Sequence, residues 1–112
     1  MVEITDEFMN DMRAKAKNYT VAILKKGPNY QQDSEKKIIF EHGRRNYQLR
    51  ADGVLSIVCP ILDNGDFAGI GVFNCSVDEA SKILQDDPAI KAGILSYSVH
   101  PSRSFPGDSL PG

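Results

Sequence analysis

Asn64-Gly65 stands between two runs of branched and apolar residues, Val54 to Leu62 and Phe67 to Cys75. Both central positions of a type I′ turn need positive φ, which Asn and Gly adopt at little cost, so the pair predicts a tight hairpin. The turn also sets the register. With Asp63 opposite Asp66, Leu55, Ile57, Cys59 and Ile61 share one face with Ala68, Ile70 and Val72. The other face carries Val54, Ser56, Val58, Pro60 and Leu62 with Phe67, Gly69, Gly71, Phe73 and Cys75. Both faces are largely apolar, so each side of the sheet needs a cover.

The rest of the chain arranges itself around that hairpin. Tyr19 to Lys26 lacks any breaker and reads as a central strand buried on both faces, ended by Gly27-Pro28-Asn29. Asp33 or Ser34 can cap a helix running to about Ala51, with Ile38, His42, Arg45 and Leu49 inward and Lys37, Glu41, Arg44 and Gln48 outward. After the hairpin, Ser76 followed three residues later by Glu79 forms a capping box opening a helix that turns Ala80, Ile83 and Leu84 inward. Asp86-Asp87-Pro88 stops it, because the residue before proline leaves the helical region. Ile94 to His100 alternates as a half-exposed strand. Ahead of all this, residues 5–17 predict an amphipathic helix capped by Thr5, with a stripe of Phe8, Met9, Met12 and Ala16 that needs a surface to lie on.

The order is a helix followed by βαββαβ, which predicts an α+β, ferredoxin-like arrangement with the first and third strands central. Pro60 then falls on an edge strand, where a missing N–H is tolerated. The two long helices cover one sheet face. The face with Phe67, Phe73, Val58 and the two glycines is predicted to pack on a second copy, making a homodimer or a higher oligomer. At 112 residues the chain reads as one domain, with an N-terminal helix over 1–18, a core over 19–100 and a Pro-, Gly- and Ser-rich tail over 101–112. The tail reads either as loose chain or as a segment that docks on a partner.

A net charge of −2 gives no field to attract nucleic acid, and no run approaches the roughly 18 apolar residues that span a bilayer. The start, MVEITDEF, lacks a basic leader, which predicts a cytoplasmic protein. Cys59 and Cys75 fit neither a disulfide framework nor a metal spacing, and the predicted register puts them on opposite faces. Cys59, flanked by Leu55, Ile57 and Ile61, reads as core packing. No metal and no cofactor are implied, since Gly69-Ile70-Gly71 sits inside a strand and lacks the dinucleotide spacing.

Among titratable groups, His42 on an apolar helix face is the candidate general acid or base, because imidazole titrates near neutral pH. Its plain alternative is a structural histidine. Arg45 shares its face and can pair with a substrate carboxylate or with Asp87. The remaining basic residues, Lys36, Lys37, Arg44 and Arg50, are interleaved with Glu35 and Glu41 and read as a solvated helix face. Gly69 and Gly71, between Phe67 and Phe73 and on the same face as Ser56, leave room on the dimer face for a flat ligand. His100, at the end of the last strand, is a weaker candidate.

His42 in mid-helix, Asp52-Gly53-Val54-Leu55 after it, Cys59-Pro60 before the hairpin and Asp87-Pro88 before the last strand together resemble the YCII-related domain, over roughly Tyr19 to Val99. The resemblance implies a dimeric α+β barrel, a family that includes a dehydrochlorinase acting on a chlorinated aromatic. It also implies a histidine and aspartate acting as an active-site pair, carried here by His42 and Asp87. Cys59 departs from the glycine usual at that position. The plain reading of Asp87 is a turn residue beside proline.

These readings lead to an expected cofactor-free small-molecule enzyme of lyase or isomerase type, with His42 and Asp87 catalytic and Arg45, Ser56, Gly69, Gly71 and Phe73 binding substrate. The alternative is a non-catalytic small-ligand-binding or accessory dimer, and a third reading is a purely structural assembly module.

Overall fold

The computed structural model describes residues 2–33 and 36–112. The elements in chain order are α1 (Asp6–Ala14), β1 (Lys17–Lys26), a 3₁₀ turn (Tyr30–Gln32), α2 (Lys37–Ala51), β2 (Leu55–Pro60), β3 (Phe67–Phe73), α3 (Val77–Gln85), α4 (Pro88–Lys91) and β4 (Leu95–Ser104). The sheet is antiparallel with strand order β2-β3-β1-β4, so β1 and β3 are central and Pro60 lies on an edge strand, as the ferredoxin-like order requires.

Local signals act where expected. Thr5 Oγ1 accepts from the Phe8 N–H at 3.1 Å, and Ser76 Oγ accepts from the Glu79 N–H at 3.2 Å. Asp33 serves α2 from further away: its two carboxylate oxygens accept from the Ile38 and Ile39 N–H groups at 3.1 and 2.9 Å, while Lys36 takes a left-handed φ of 56° just before the helix. Ser34, the other expected cap, and Glu35 lie outside the described residues.

The hairpin register holds from Ile57↔Val72 to Pro60↔Gly69, although neither Asn64 nor Gly65 takes the positive φ of the expected type I′ turn, and then shifts by one at Ser56, so that Leu55 pairs with Phe73. A one-residue bulge inverts side-chain parity beyond it. Leu55 therefore crosses to the side of Val58 and Phe73 and enters the core with Ala22, Ala80 and Leu84, all at most 3% exposed.

This core overturns the expected assignment of faces. Val58, Gly69, Gly71 and Phe73 lie beneath the helices, with Phe73 only 2% exposed. The uncovered face carries Val21 and Ile23 of β1, Ile70 and Val72 of β3, and Ile57 and Cys59 of β2. Ser96, Ser98 and His100 of β4 pair with that side. Phe67 remains on the uncovered face as expected, because a second shift between Leu24 and Lys25 pairs it with Lys25, whose Nζ lies 5.3 Å from its ring centroid. Cys59 is accordingly exposed rather than in a core layer, and β1 is covered by helices on one side only. Period-two alternation sorts residues into two sets, and when both sets are apolar only the helix packing decides which set is inside.

Two termini also differ from expectation. Pro101 to Ser104 continue β4 beside Thr20 to Lys17, so the start of the tail is strand; Pro101 needs no ladder partner on an edge. Among the described residues the stripe of α1 finds little cover: the helix has no buried residue, Phe8 and Met9 are exposed, and Met12 and Ala16 are half-buried.

Gly27 joins the end of β1 to the loop after α4. Its N–H donates to the Ile94 carbonyl at 2.8 Å, and the Asn29 N–H donates to the Gly93 carbonyl at 2.9 Å. A Cβ on Gly27 would overlap the Gly93 carbonyl oxygen, a backbone atom with nowhere to move. Gly27→Ala is therefore expected to destabilise the fold by about 3 kcal/mol in urea unfolding, through overpacking rather than propensity. A loss below roughly 0.5 kcal/mol, the usual scatter of surface substitutions, would show that the loop yields.

Candidate functional site

The inward face of α2 presents His42, Arg45 and Asn46, spaced three and four residues apart and so neighbours on one side of a helix. Ile38 and Ile39 of the same helix pack against Ala89, Ile94 and Leu95, which draws α2 onto α4 and its preceding loop. Asp87 sits at that junction. Being followed by proline, it is held extended (φ −71°, ψ 131°), while Pro88 supplies the preset φ of a first helical position.

Asp87 performs two tasks with two oxygens. Oδ1 accepts from the Ala89 N–H at 2.8 Å and so caps α4. Oδ2 lies 2.7 Å from His42 Nδ1. The helix-end reading of Asp87 and its contact with His42 thus coexist in one residue. Its side chain is 1% exposed and that of His42 is 12% exposed. Burial pushes the Asp87 carboxyl up. The hydrogen bond and charge of His42, the Ala89 N–H and the Arg45 guanidinium together outweigh burial and hold it below its ordinary value.

The tautomer follows from the partners. Asn46 Nδ2 lies 3.2 Å from His42 Nε2, and an amide nitrogen can only donate. Nε2 is then the acceptor, and Nδ1 carries the hydrogen donated to Asp87. This is the orientation of a base whose charged form a carboxylate will stabilise. Asn46 was not singled out from the sequence, although its position four residues after His42 on the inward face was a usable signal.

Arg45 comes to the same carboxylate, with Nη1 3.7 Å from Asp87 Oδ2, so the structure brings together three of the expected residues: His42, Asp87 and Arg45. It does not add the others. Ser56 is exposed at the bulge, and Gly69, Gly71 and Phe73 lie on the helix-covered face of the sheet. The expected room at the glycines is filled: a Cβ at Gly71 would meet Leu55 Cδ1 at 3.0 Å, and one at Gly69 the Cys59 carbonyl oxygen at 3.1 Å.

Other polar groups take ordinary roles. Arg44 pairs with Glu41 at 3.3 Å, both well exposed, which agrees with a solvated outer face of α2. His100 Nε2 lies 2.9 Å from Ser98 Oγ on the exposed edge strand. Burial, and then the nearby Glu79 charge, push the Cys75 thiol up and away from the reactive thiolate. A groove of about 700 Å³ is lined by Thr20, Cys75, Ser76 and Arg103, and a second of about 540 Å³ by Lys36, Lys37, Phe40 and Glu41. Neither is lined by His42 or Asp87. Among the described residues, no helix is long and apolar enough to cross a membrane.

The family model of the YCII-related domain matches residues 19–103. The chain belongs to this family. Its match begins within β1 and ends within β4, so it takes in part or all of every strand and the His42–Asp87 contact and leaves α1 outside. Among solved structures, this YCII-related chain is similar to the 5-chloro-2-hydroxyhydroquinone dehydrochlorinase of Burkholderia phenoliruptrix AC1100 in complex with 2,5-dihydroxybenzoquinone. The two are 22% identical, the alignment covers 72% of this chain and 90% of that one, and the TM-score is 0.53. That likeness shows the ferredoxin-like fold. No curated protein matches the chain.

Proposed function

We propose that this YCII-related protein is a cytoplasmic, cofactor-free small-molecule enzyme of lyase or isomerase type, in which His42 transfers a proton and Asp87 orients and stabilises its ring. The 2.7 Å contact between His42 Nδ1 and a buried carboxylate carries this reading. An imidazole held at one nitrogen by a carboxylate can take a proton at the other and return it, which is general acid–base chemistry. The dehydrochlorinase activity named for the structural neighbour is of the same broad type. The test is turnover by the purified full chain, beginning with 5-chloro-2-hydroxyhydroquinone and extending to other small hydroxylated aromatics, with deuterium uptake from solvent followed by NMR. Turnover or exchange by any compound that binds supports the proposal. Binding with neither would sink it.

One observation favours a second reading, a non-catalytic ligand-binding dimer: Asn46 already occupies Nε2, the nitrogen that a substrate proton would need. In that case a ligand survives purification and is returned unchanged.

The working unit we propose is a homodimer formed through the uncovered sheet face. Its apolar centre, Val21, Ile23, Ile57, Ile70 and Val72, is continuous across three strands, and Ile70 is 39% exposed. Ile70→Asp is expected to leave the monomer folded and weaken association by about 3 kcal/mol, roughly a hundredfold in dissociation constant, since it buries an unpaired charge. Sedimentation measures both; a wild-type monomer at micromolar concentration contradicts the proposal.

A further inference from the structure

Arg45 is a cation whose partners are incomplete. Among the described residues it makes no hydrogen bond, and its one ion-pair contact, to Asp87 Oδ2 at 3.7 Å, is too long to be one. Nη1 is buried and unpartnered. The side chain as a whole keeps 27% of its surface, so part of it reaches solvent although Nη1 does not. Asp87 has little left to offer it, because Oδ1 is taken by the Ala89 N–H at 2.8 Å and Oδ2 by His42 at 2.7 Å. A guanidinium that served only to hold α2 to α4 would close on the carboxylate as a two-pronged pair. This one does not.

The charge balance of the cluster points the same way. With a neutral imidazole, Arg45 and Asp87 cancel. Once His42 takes a proton, two cations face one carboxylate in a partly desolvated place, and a negative charge beside Arg45 restores neutrality. Removal of a proton from a substrate C–H or O–H leaves the electron pair on the substrate, where it settles on oxygen as an enolate or phenolate. Arg45 stands within 3.7 Å of the carboxylate oxygen that holds the base.

We propose that Arg45 is the subsite for a small organic anion, a carboxylate or an ionised enol or phenol hydroxyl, bound next to His42. The proposal rests on the reading that His42 and Asp87 face a ligand, and it names that ligand's charge. Asn46 is then the group that the incoming molecule displaces from Nε2.

Benzoate and benzamide, nearly equal in shape and different in charge, provide the test on the full chain. Calorimetric titration is expected to show benzoate binding about tenfold tighter or more, the worth of one charge-assisted contact, with a shift of the His42 ring resonances in NMR. Arg45→Gln is expected to bring the ratio to near one, and Arg45→Lys to keep part of it. Circular dichroism checks that the variants fold; if Arg45→Gln does not, the wild-type ratio and Arg45→Lys decide. Equal affinities, no saturable benzoate binding, or a preference that persists in Arg45→Gln overturns the proposal. A His42→Ala variant that keeps the benzoate preference but loses nothing in turnover would remove the acid–base reading and leave the anion subsite standing.

Discussion

His42→Ala is expected to lower turnover of any true substrate by about 10²- to 10⁴-fold, the usual contribution of a positioned acid or base. The expectation rests on how the ring is held. Nδ1 is committed to Asp87 at 2.7 Å and Nε2 meets Asn46 at 3.2 Å, so one nitrogen anchors while the other is free to exchange its partner for a substrate proton. Alanine also leaves Asp87 Oδ2 buried without its closest donor, so some stability will be lost together with activity. His42→Gln separates the two effects. A glutamine amide can still donate toward Oδ2 but cannot carry a proton between pH 5 and 8. Loss of turnover in a His42→Gln protein that melts close to the wild type supports the catalytic role, and turnover near the wild-type rate in either variant ends it.

Asp87→Ala is expected to cost about 4 kcal/mol of folding stability. Three groups lose a partner at once: the Ala89 N–H at the start of α4, the His42 Nδ1–H, and Arg45, whose charge is offset by this carboxylate. For a chain of this size the melting temperature should fall on the order of 15–20 °C. Asp87→Asn retains an oxygen for the cap and should lose roughly half as much stability. Its amide would donate to Nδ1 and force the opposite ring tautomer, so activity should fall nearly as far as in His42→Ala.

The wild-type acid limb tests the same residue. The Asp87 carboxyl is held below its ordinary value in the folded chain, so its contribution is complete above the unfolded value of about 3.9. It is lost as pH falls through the lower folded value. Urea unfolding between about pH 6 and pH 2.5 should show a decline confined to the acid end and shallower in Asp87→Asn. Equal slopes in the two proteins would mean that Asp87 is not the group responsible.

Much of this arrangement was legible in the residues. The hairpin that Asn64-Gly65 predicts pairs Ile57 with Val72 through Pro60 with Gly69, although its turn is not the expected type I′. Pro60 marks an edge, Thr5 and Ser76 mark helix starts, and the three-and-four spacing of α2 puts His42, Arg45 and Leu49 inward. These are rules of neighbouring atoms, a missing N–H or an orphan donor, and they act wherever the chain goes next. His42 and Asp87, 45 positions apart, came together in the reading only through a family resemblance, since nothing local to either residue specifies the other.

By itself the sequence determined the order of the main elements and the hairpin register from Ile57 to Pro60, but not the bulges that move Leu55 and Phe67 to the opposite face. The tertiary structure decided which face is inside. A bulge at Ser56 sends Leu55 to join Phe73 and closes the space at Gly71, while the packing of α3 on that side leaves Ile57, Ile70 and Val72 uncovered. Alternation is blind to that choice when both faces are apolar, because either set gains nearly the same from leaving water. The site was decided in the same way: packing of Ile38 and Ile39 against Ala89 and Ile94 brings α2 to the cap of α4, and only there does a turn aspartate become the partner of a histidine.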